Sequence, residues 1–419
     1  MARGSAYAII DAGSTKVATI VGDLSERDTL RVLGVGVAPS DGIEKGQISN
    51  ITKATDAIQA SVEKAERSSG TRILSASVTI AGAHLSALNN RGIVAVPEVG
   101  QPISGDDVQR VIDAARTVSL KSNREMLHAL PRYFVVDGQD RVSDPAGMHG
   151  QRLDVEMHIV TGAVSAIQNL TKCVEGAGVQ IDSLLAAPVV TSAAVLRTEE
   201  MQEGAVQIDI GGGTTDVAIY QEGSIVHIAS LPVGGMHVTR DLVAGLRCPF
   251  AVAEEVKTAH AAGGPIDEKP GSANGAVTLS AFGQEQEREY PRQLIGEIVQ
   301  ARVEEILSMA LVEVKRAGQI EMVPAGLILT GGTANLPGIT DLAEELTELP
   351  ARVGQTGEAY GLVDQISGAA FATGLGALRW TTDGLDPTGQ SVRLSMPKAP
   401  GVMDFVRGVG RIGRVFLPK

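Results

Sequence analysis

Short apolar runs of period two open the chain. Tyr7–Ile10, Val17–Asp23 and Leu30–Val37 read as three successive strands, and Gly42–Gly46 (Gly-Ile-Glu-Lys-Gly) as a loop. The period then lengthens. Ile51, Ala54, Ile58, Val62 and Ala65 share one face of a helix that Gly70 ends, and Ser77–Ile80 returns to a strand closed by Ala81 and Gly82. Residues 83 to 164 form a unit of another kind. Ile93–Val96 reads as a strand, and Ser104-Gly105-Asp106-Asp107 caps a helix with Val108, Val111, Ile112, Ala115 and Val118 on its apolar face. Strands at Tyr133–Val136 and Glu156–Val160 follow, with a polar, turn-rich stretch between them. This β-α-β-β order predicts a small α+β module inserted in a first domain, with no counterpart in the second half.

Ser165–Gly176 reads as a helix and Ile181–Leu185 as a strand, and Pro188 starts a small-residue helix to Leu196. Strands at Ala205–Ile208 and Val217–Tyr220 come next. Pro232-Val233-Gly234-Gly235 leaves a strand and enters a helix at His237–Gly245. A second helix, Glu254–His260, presents Glu254 and Lys257 one turn apart. Residues 261–275 are loop-like. A long helix from Arg292 to Ala317 has Ile295, Ile298, Ile306, Leu307, Ala310 and Val314 as its buried face. Its basic residues, Arg288, Arg292 and Arg302, read either as a solvated face or as a seat for an acidic peptide of a partner. Gly326–Leu329 is a buried strand, and Ala369–Leu378 a Gly/Ala helix that could return to the first domain.

The chemistry lies in two of the turns. Asp209-Ile210-Gly211-Gly212-Gly213-Thr214-Thr215-Asp216 joins two strands with no helix directly after it. Glycines let several N–H groups approach an anion, threonines add hydroxyl donors, and the aspartates can hold a hydrated cation. An ordinary glycine hairpin needs no ligand, so this stretch alone leaves both readings open. An earlier copy weighs against the plain turn. Asp11-Ala12-Gly13-Ser14-Thr15-Lys16 again follows an apolar strand, and Val17-Ala18 resumes it. The second turn reads as the longer one, with Asp216 falling where the first has Lys16. Two such hairpins, about 200 residues apart, suggest a duplicated domain that closes on one ligand from both sides. In that arrangement Lys16 contacts the β- and γ-phosphates, and Asp11 and Asp209 face each other across a metal ion. The strand into Thr330-Gly331-Gly332-Thr333 offers bare backbone on which a planar base can lie. Neither a Walker sequence nor a G-x-G-x-x-G opening a helix is present.

Composition narrows the class. The chain has 419 residues, 43% of them hydrophobic, enough for two domains or more. The net charge of −13 argues against general nucleic-acid binding. It is unevenly spread: Lys398, Arg407, Arg411, Arg414 and Lys419 against Asp404 give the C-terminal stretch +4, leaving −17 elsewhere. Cys173 and Cys248 are too few and too far apart for a disulfide framework, which favours a cytosolic setting. No apolar run is long enough to span a bilayer, and no signal-peptide core follows the first Met. Thr381–Pro397 is Gly/Pro/polar and reads as a linker. Beyond it, Val402, Phe405, Val406, Val409, Ile412 and Phe416 fall on one side of a helix, with Arg407, Arg411 and Arg414 opposite. Gly401, Gly408, Gly410 and Gly413 make that helix poor in water. It is expected to order on an anionic membrane surface, apolar face down.

Two phosphate hairpins and the Leu329–Gly338 loop, in this order, resemble the three signatures of the actin, DnaK-type chaperone and sugar-kinase ATPases. Within them the chain resembles the FtsA family of bacterial cell-division proteins. That likeness covers nearly the whole length. It includes Gly42–Gly46, the inserted module, Val233-Gly234-Gly235-Met236-His237-Val238-Thr239 and the amphipathic terminus. The resemblance implies an α/β, actin-like two-domain ATPase fold with an inserted small α+β subdomain and a C-terminal amphipathic helix. It divides the chain into subdomain 1A (1–82, 165–199, 368–382), 1C (83–164), 2A (200–232, 320–367), 2B (233–319), a linker (383–398) and a membrane-targeting helix (399–419). It implies that Gly13, Ser14, Thr15 and Lys16, with Gly211, Gly212, Gly213, Thr214 and Thr215, hold the ATP phosphates. Asp11 and Asp209 hold Mg2+ through water, and Gly234, Gly235, Glu254, Lys257, Gly331, Gly332 and Thr333 line the ribose and base. It further implies actin-like self-polymerisation at the division site, on the cytoplasmic face of the inner membrane. There the C-terminal peptide of FtsZ would be held in 2B, and later division proteins recruited through 1C. A pilus-assembly relative and a small-molecule kinase of the same fold are the alternatives. One position departs from the pattern. Chaperone relatives carry an acid before the proline after the Ile181–Leu185 strand, where this chain has Ala187. With no obvious carboxylate replacing it, slow or negligible hydrolysis is expected.

Overall fold

The computed structural model describes residues 6–24, 29–96, 100–261, 275–282, 287–318, 322–357, 359–362 and 366–383. The expected linker starts too early, because Thr381 and Thr382 belong to the helix Ala372–Thr382; the rest of it from residue 384, the terminal amphipathic stretch and the loop over 262–274 lie outside the described residues.

The two halves repeat one topology. In the first, Tyr7–Ala12, Lys16–Leu24 and Leu30–Pro39 form an antiparallel meander. Ser75–Ile80 and then Gln180–Ala186 extend it in parallel beyond Tyr7–Ala12. In the second, Ala205–Ile210, Thr215–Gln221 and Ser224–Leu231 form the meander, and Leu327–Thr330 and Ala351–Val353 extend it in parallel. Parallel neighbours need crossover connections, and those crossovers hold the largest differences between the halves. The inserted module lies between Ser75–Ile80 and Gln180–Ala186. The helices Gly235–Leu246, Phe250–His260 and Arg292–Arg316 lie between Ser224–Leu231 and Leu327–Thr330. Near its end the chain returns to the first half. Ala359–Gly361 pairs with Leu30–Pro39, and the helix Ala372–Thr382 packs on the first meander.

Local sequence explains most boundaries. Asn50 accepts from the Lys53 N–H to start the helix Ile51–Ser69, and Gly70, at φ 67°, ends it in a left-handed conformation that glycine adopts freely. Ser104 and Asp107 form a reciprocal capping box for Gly105–Arg116. Gly42–Gly46 is not a plain loop. Ile43–Glu44 and Gln47–Ile48 form a two-residue hairpin with Lys45 and Gly46 both at positive φ, 50° and 73°.

Three apolar cores follow among the described residues. Ile9, Ile10, Ile20 and Ile58 sit in the first, Val206, Ile208, Ile219 and Leu329 in the second, and Val111, Ile112, Leu153 and Met157 in the module. The module's strands run longer than the apolar pattern suggests: Ser86–Ala95, Arg124–Val136 and Arg152–Ala163. Its strand Ser86–Ala95 carries Asn89, Asn90 and Arg91, so hydrophobic alternation hides its extent. On the helix Arg292–Arg316, Val299 and Val303 join the buried face and Ile298 is only partly covered. Arg288 precedes that helix, in the strand Arg288–Pro291.

Candidate functional site

The two glycine hairpins meet tip to tip across a cleft of about 360 Å³ between the halves. Their turns are equivalent. The Gly13 N–H donates to Lys16 O at 3.1 Å, as the Gly211 N–H donates to Thr214 O at 2.9 Å. Asp11 pairs with Ala18, and Asp209 with Asp216. This register corrects the expectation of a longer second turn. Thr214, not Asp216, stands at the place of Lys16, and Asp216 lies one strand over from Asp209. Aligning the hairpins on their Val-Ala pairs misplaced a gap that backbone pairing removes.

At the tips the glycines are needed for space. A Cβ at Gly213 would lie 2.6 Å from Ser14 Oγ and 2.8 Å from Ser14 Cβ, and one at Gly212 would run into Thr15. Gly331 is at φ +86°, and a Cβ there would lie 2.5 Å from Ile210 O. A Cβ at Gly332 would meet nothing within 4 Å, so this backbone faces open space. On the second half, the Gly235 and Met236 N–H groups donate to Gly211 O and Gly212 O at 2.9 and 2.8 Å. The helix Gly235–Leu246 is thereby fixed to the hairpin. Lys257 Nζ donates to Gly235 O at 3.2 Å, Thr239 Oγ1 at 3.0 Å and Glu254 Oε2 at 2.7 Å.

Three aspartates share this cleft. Asp11 accepts from Thr79 Oγ1 at 2.6 Å, and Asp209 from Thr373 Oγ1 at 2.8 Å. Desolvation raises the pKa of Asp11, against the Thr79 hydrogen bond and the Lys16 charge. Burial pushes Asp209 up to about 6, with the Asp11 charge adding to it. Burial, helped by the Asp209 charge, pushes Asp216 up to about 7. The Lys16 ammonium, 3.4 Å from the Phe371 ring centroid, is lowered by desolvation while Asp11 and Asp209 pull it back up. Asp216 Oδ1 is buried with no hydrogen-bond partner. Crowded carboxylates with an unmet acceptor, beside glycine backbone and a lysine, suit a cation bound together with an anion. No group of three or more metal-ligating side chains occurs among the described residues. That is compatible with Mg2+, which keeps most of its water and shares phosphate oxygens.

Of the residues singled out from the sequence, Asp11, Gly13, Ser14, Thr15, Lys16, Asp209, Gly211, Gly212, Gly213, Thr214, Gly235, Glu254, Lys257, Gly331, Gly332 and Thr333 line the cleft together. Two stand behind it. Thr215 is buried, its hydroxyl donating to Val233 O at 2.9 Å, and Gly234 packs on the Gly211 and Gly212 carbonyls. Thr79 and Thr373 were missed, because only strand pairing and the return of the last helix bring them to Asp11 and Asp209. Asp216 also lines the cleft. Its signal, an acid closing the glycine turn, was in the sequence. The three arginines do not form one face. Arg288 and Arg292 are exposed, whereas Arg302 is tied to Asp241 at 2.5 and 3.0 Å.

The duplicated meanders, the interdomain cleft and the inserted module define a protein of the actin-like class. Solved structures agree on the fold. The chain is similar to one from a PilM-PilN type IV pilus biogenesis complex (TM-score 0.61, 13% identity, covering 90% of this chain and 98% of that one). It is also similar to MreB5 of Spiroplasma citri bound to ADP (TM-score 0.54, 14% identity, covering 90% and 95%). The model of cell division protein FtsA matches residues 206–376, and that of the SHS2 domain inserted in FtsA matches residues 82–161. Cell division protein FtsA of Pseudomonas aeruginosa is 37% identical, covering 93% of this chain and 94% of its own. That of Bacillus subtilis is 33% identical, covering 95% and 88%. The chain belongs to the FtsA family of cell division proteins.

Proposed function

We propose that this protein binds ATP with Mg2+ between its two halves, polymerises in actin fashion, and ties FtsZ filaments to the cytoplasmic face of the inner membrane at the division site. The observation that carries the reading is the interlocking of the Gly211–Gly213 and Gly13–Thr15 tips over the buried aspartates. The backbone N–H groups and hydroxyls of the tips hold the phosphates, and Lys16 balances their charge. Asp11 and Asp209, held by Thr79 and Thr373, orient the water shell of the ion. A bound Mg2+ would supply neutralisation of the phosphate charge. Gly332, with Gly331, Thr333, Gly235, Glu254 and Lys257, receives the nucleoside. Because closure must bring Gly213 against Ser14, the bound nucleotide sets the angle between the halves and so the shape that polymerises. In this reading the FtsZ peptide binds on 2B, with Arg288 and Arg292 on the exposed surface there, and later division proteins bind on 1C.

Turnover is slow in this reading, because Ala187 stands where chaperone relatives carry an acid. Turnover at about 1 s⁻¹ or faster, within the usual enzyme range, contradicts it. Membrane attachment belongs to Val402, Phe405, Val406, Val409, Ile412 and Phe416, with Arg407, Arg411 and Arg414 at the headgroups. Co-sedimentation with liposomes containing anionic lipid, comparing the full chain with one ending at Pro397, tests this. The full chain pellets and carries FtsZ down with it, and the shortened chain does neither. Equal lipid binding by both removes the tail from the account, and failure to carry FtsZ removes the tether.

A further inference from the structure

The inserted module is rooted beside the cleft, and one hydroxyl joins the two. Gly82 is the last residue of the first half before the module, and the Leu85 N–H donates back to its carbonyl at 2.9 Å. Its own N–H donates to Ser230 Oγ of the second half at 3.1 Å. Ser230 lies directly opposite Asp216 across the antiparallel pair, and its hydroxyl works against the rise in the pKa of that carboxylate. A side chain of the nucleotide cleft is thus one hydroxyl away from the root of the module.

A second path reaches the same root from the first hairpin. The Gly46 N–H donates to Ser14 Oγ at 3.2 Å. Gly46 lies flat on the root, where a Cβ would come within 2.5 Å of Ala81 O and 2.8 Å of Gly82 Cα. Gly82, at φ +121°, is open only to glycine without strain, and a Cβ there would face the Lys45 and Gly46 carbonyls at 3.1 and 3.2 Å. The root is therefore gripped by a satellite of each phosphate hairpin.

The strand that carries Ser230 also meets the body of the module. At its other end, Ser224 Oγ donates to Arg132 O at 2.9 Å, and Glu222 in the preceding turn pairs with Arg141 at 3.0 Å. Ser224 and Ser230 are six residues apart, about 20 Å at the rise of a strand. The second half thus holds the module at two separated points, the nearer of which bridges the clamp.

We infer that Ser230 is a positioning residue that couples closure of the nucleotide cleft to the seating of the inserted module. This rests on the ATP-binding reading of the cleft. The hydroxyl has two tasks, to hold Asp216 and to receive Gly82. The first is met within the second half alone and the second only with the halves closed, so ligand that closes the clamp also fixes the root.

Hydrogen–deuterium exchange on the full chain tests it, with no nucleotide, with MgADP and with a non-hydrolysable MgATP analogue. Binding of each nucleotide is measured by calorimetry in parallel. In the wild type the ATP analogue slows exchange in peptides spanning residues 82–95 by about 3- to 10-fold, the range one hydrogen bond accounts for. Ser230→Ala binds the analogue but loses that difference, and Ser230→Thr, which keeps the hydroxyl, retains it. A merely structural serine would raise exchange equally in all three nucleotide states. Nucleotide-dependent protection that persists in Ser230→Ala overturns the coupling, as does a wild type that binds the analogue without protecting residues 82–95. A wild type that binds no nucleotide overturns the ATP-binding reading itself, and the coupling with it.

Discussion

Replacing Gly213 by Ala should weaken nucleotide binding without unfolding either half. Gly213 has no left-handed φ, so alanine brings no backbone strain at this position. What it brings is a methyl group pointed across the cleft. That methyl would stand 2.6 Å from Ser14 Oγ, 2.8 Å from Ser14 Cβ and 3.0 Å from the Lys45 backbone nitrogen. The hydroxyl can rotate away, but Ser14 Cβ and the Lys45 nitrogen are fixed by their own hairpins. Relief has to come from separating the tips by several tenths of an ångström, which opposes closure. Overpacking of this kind costs about 1–3 kcal/mol, or about 5- to 150-fold in Kd when closure is part of binding. The assay is calorimetric titration with MgATP, alongside thermal melting without nucleotide. Gly105→Ala is the control, since a Cβ there meets nothing within 4 Å. The expected result is a raised Kd with an unchanged apo melt for Gly213→Ala, and no change for the control. An unaltered Kd would show that the tips do not close on the ligand.

Other consequences follow from the same geometry. Asp216, raised by burial to about 7 from an ordinary 3.8, binds its proton more tightly folded than unfolded. Its contribution is therefore intact at low pH, and stability is lost as pH rises from about 4 through 7. Asp216→Asn should raise the apo melting temperature at pH 8 and leave it nearly unchanged at pH 4, as scanning fluorimetry would show; a larger gain at pH 4 contradicts the sign. Gly376→Ala, whose Cβ would lie 3.0 Å from Val190 C and 3.1 Å from Thr191 Cα, should cost about 1–3 kcal/mol in urea unfolding. An unchanged midpoint would mean that the last helix is not pressed on the first half. Arg352 grips both Glu200 oxygens at 2.7 and 2.5 Å and also Val195 O at 2.9 Å. Partly exposed as it is, Arg352→Ala should cost about 1–3 kcal/mol, read by the same titration. A loss within error would class the pair with ordinary surface ion pairs.

Much of this was legible in the residues. Apolar period marked the first meander and the helix Ile51–Ser69, and the capping pair Ser104/Asp107 marked the module's helix. The paired Asp-Gly-Thr turns located both walls of the cleft. What stayed hidden was relation rather than identity. Equal turn length became visible only through register, which placed Asp216 beside Asp209. Thr79 and Thr373 reach the aspartates from strands and helices far along the chain, and no spacing in the sequence encodes that meeting. The Gly82–Ser230 bond spans 148 residues and both halves. The module's strands were read too short because charged and amide side chains interrupt their alternation on the solvated face.

The central claim is that the two hairpins form one nucleotide clamp. It is tested most directly by titrating the full wild-type chain with ATP in a calorimeter, once with Mg2+ and once with EDTA. One saturable site per chain, weakened when Mg2+ is removed and weakened again in Gly213→Ala, is the predicted result. No saturable heat with MgATP, or binding indifferent to both Mg2+ and Gly213, would contradict it.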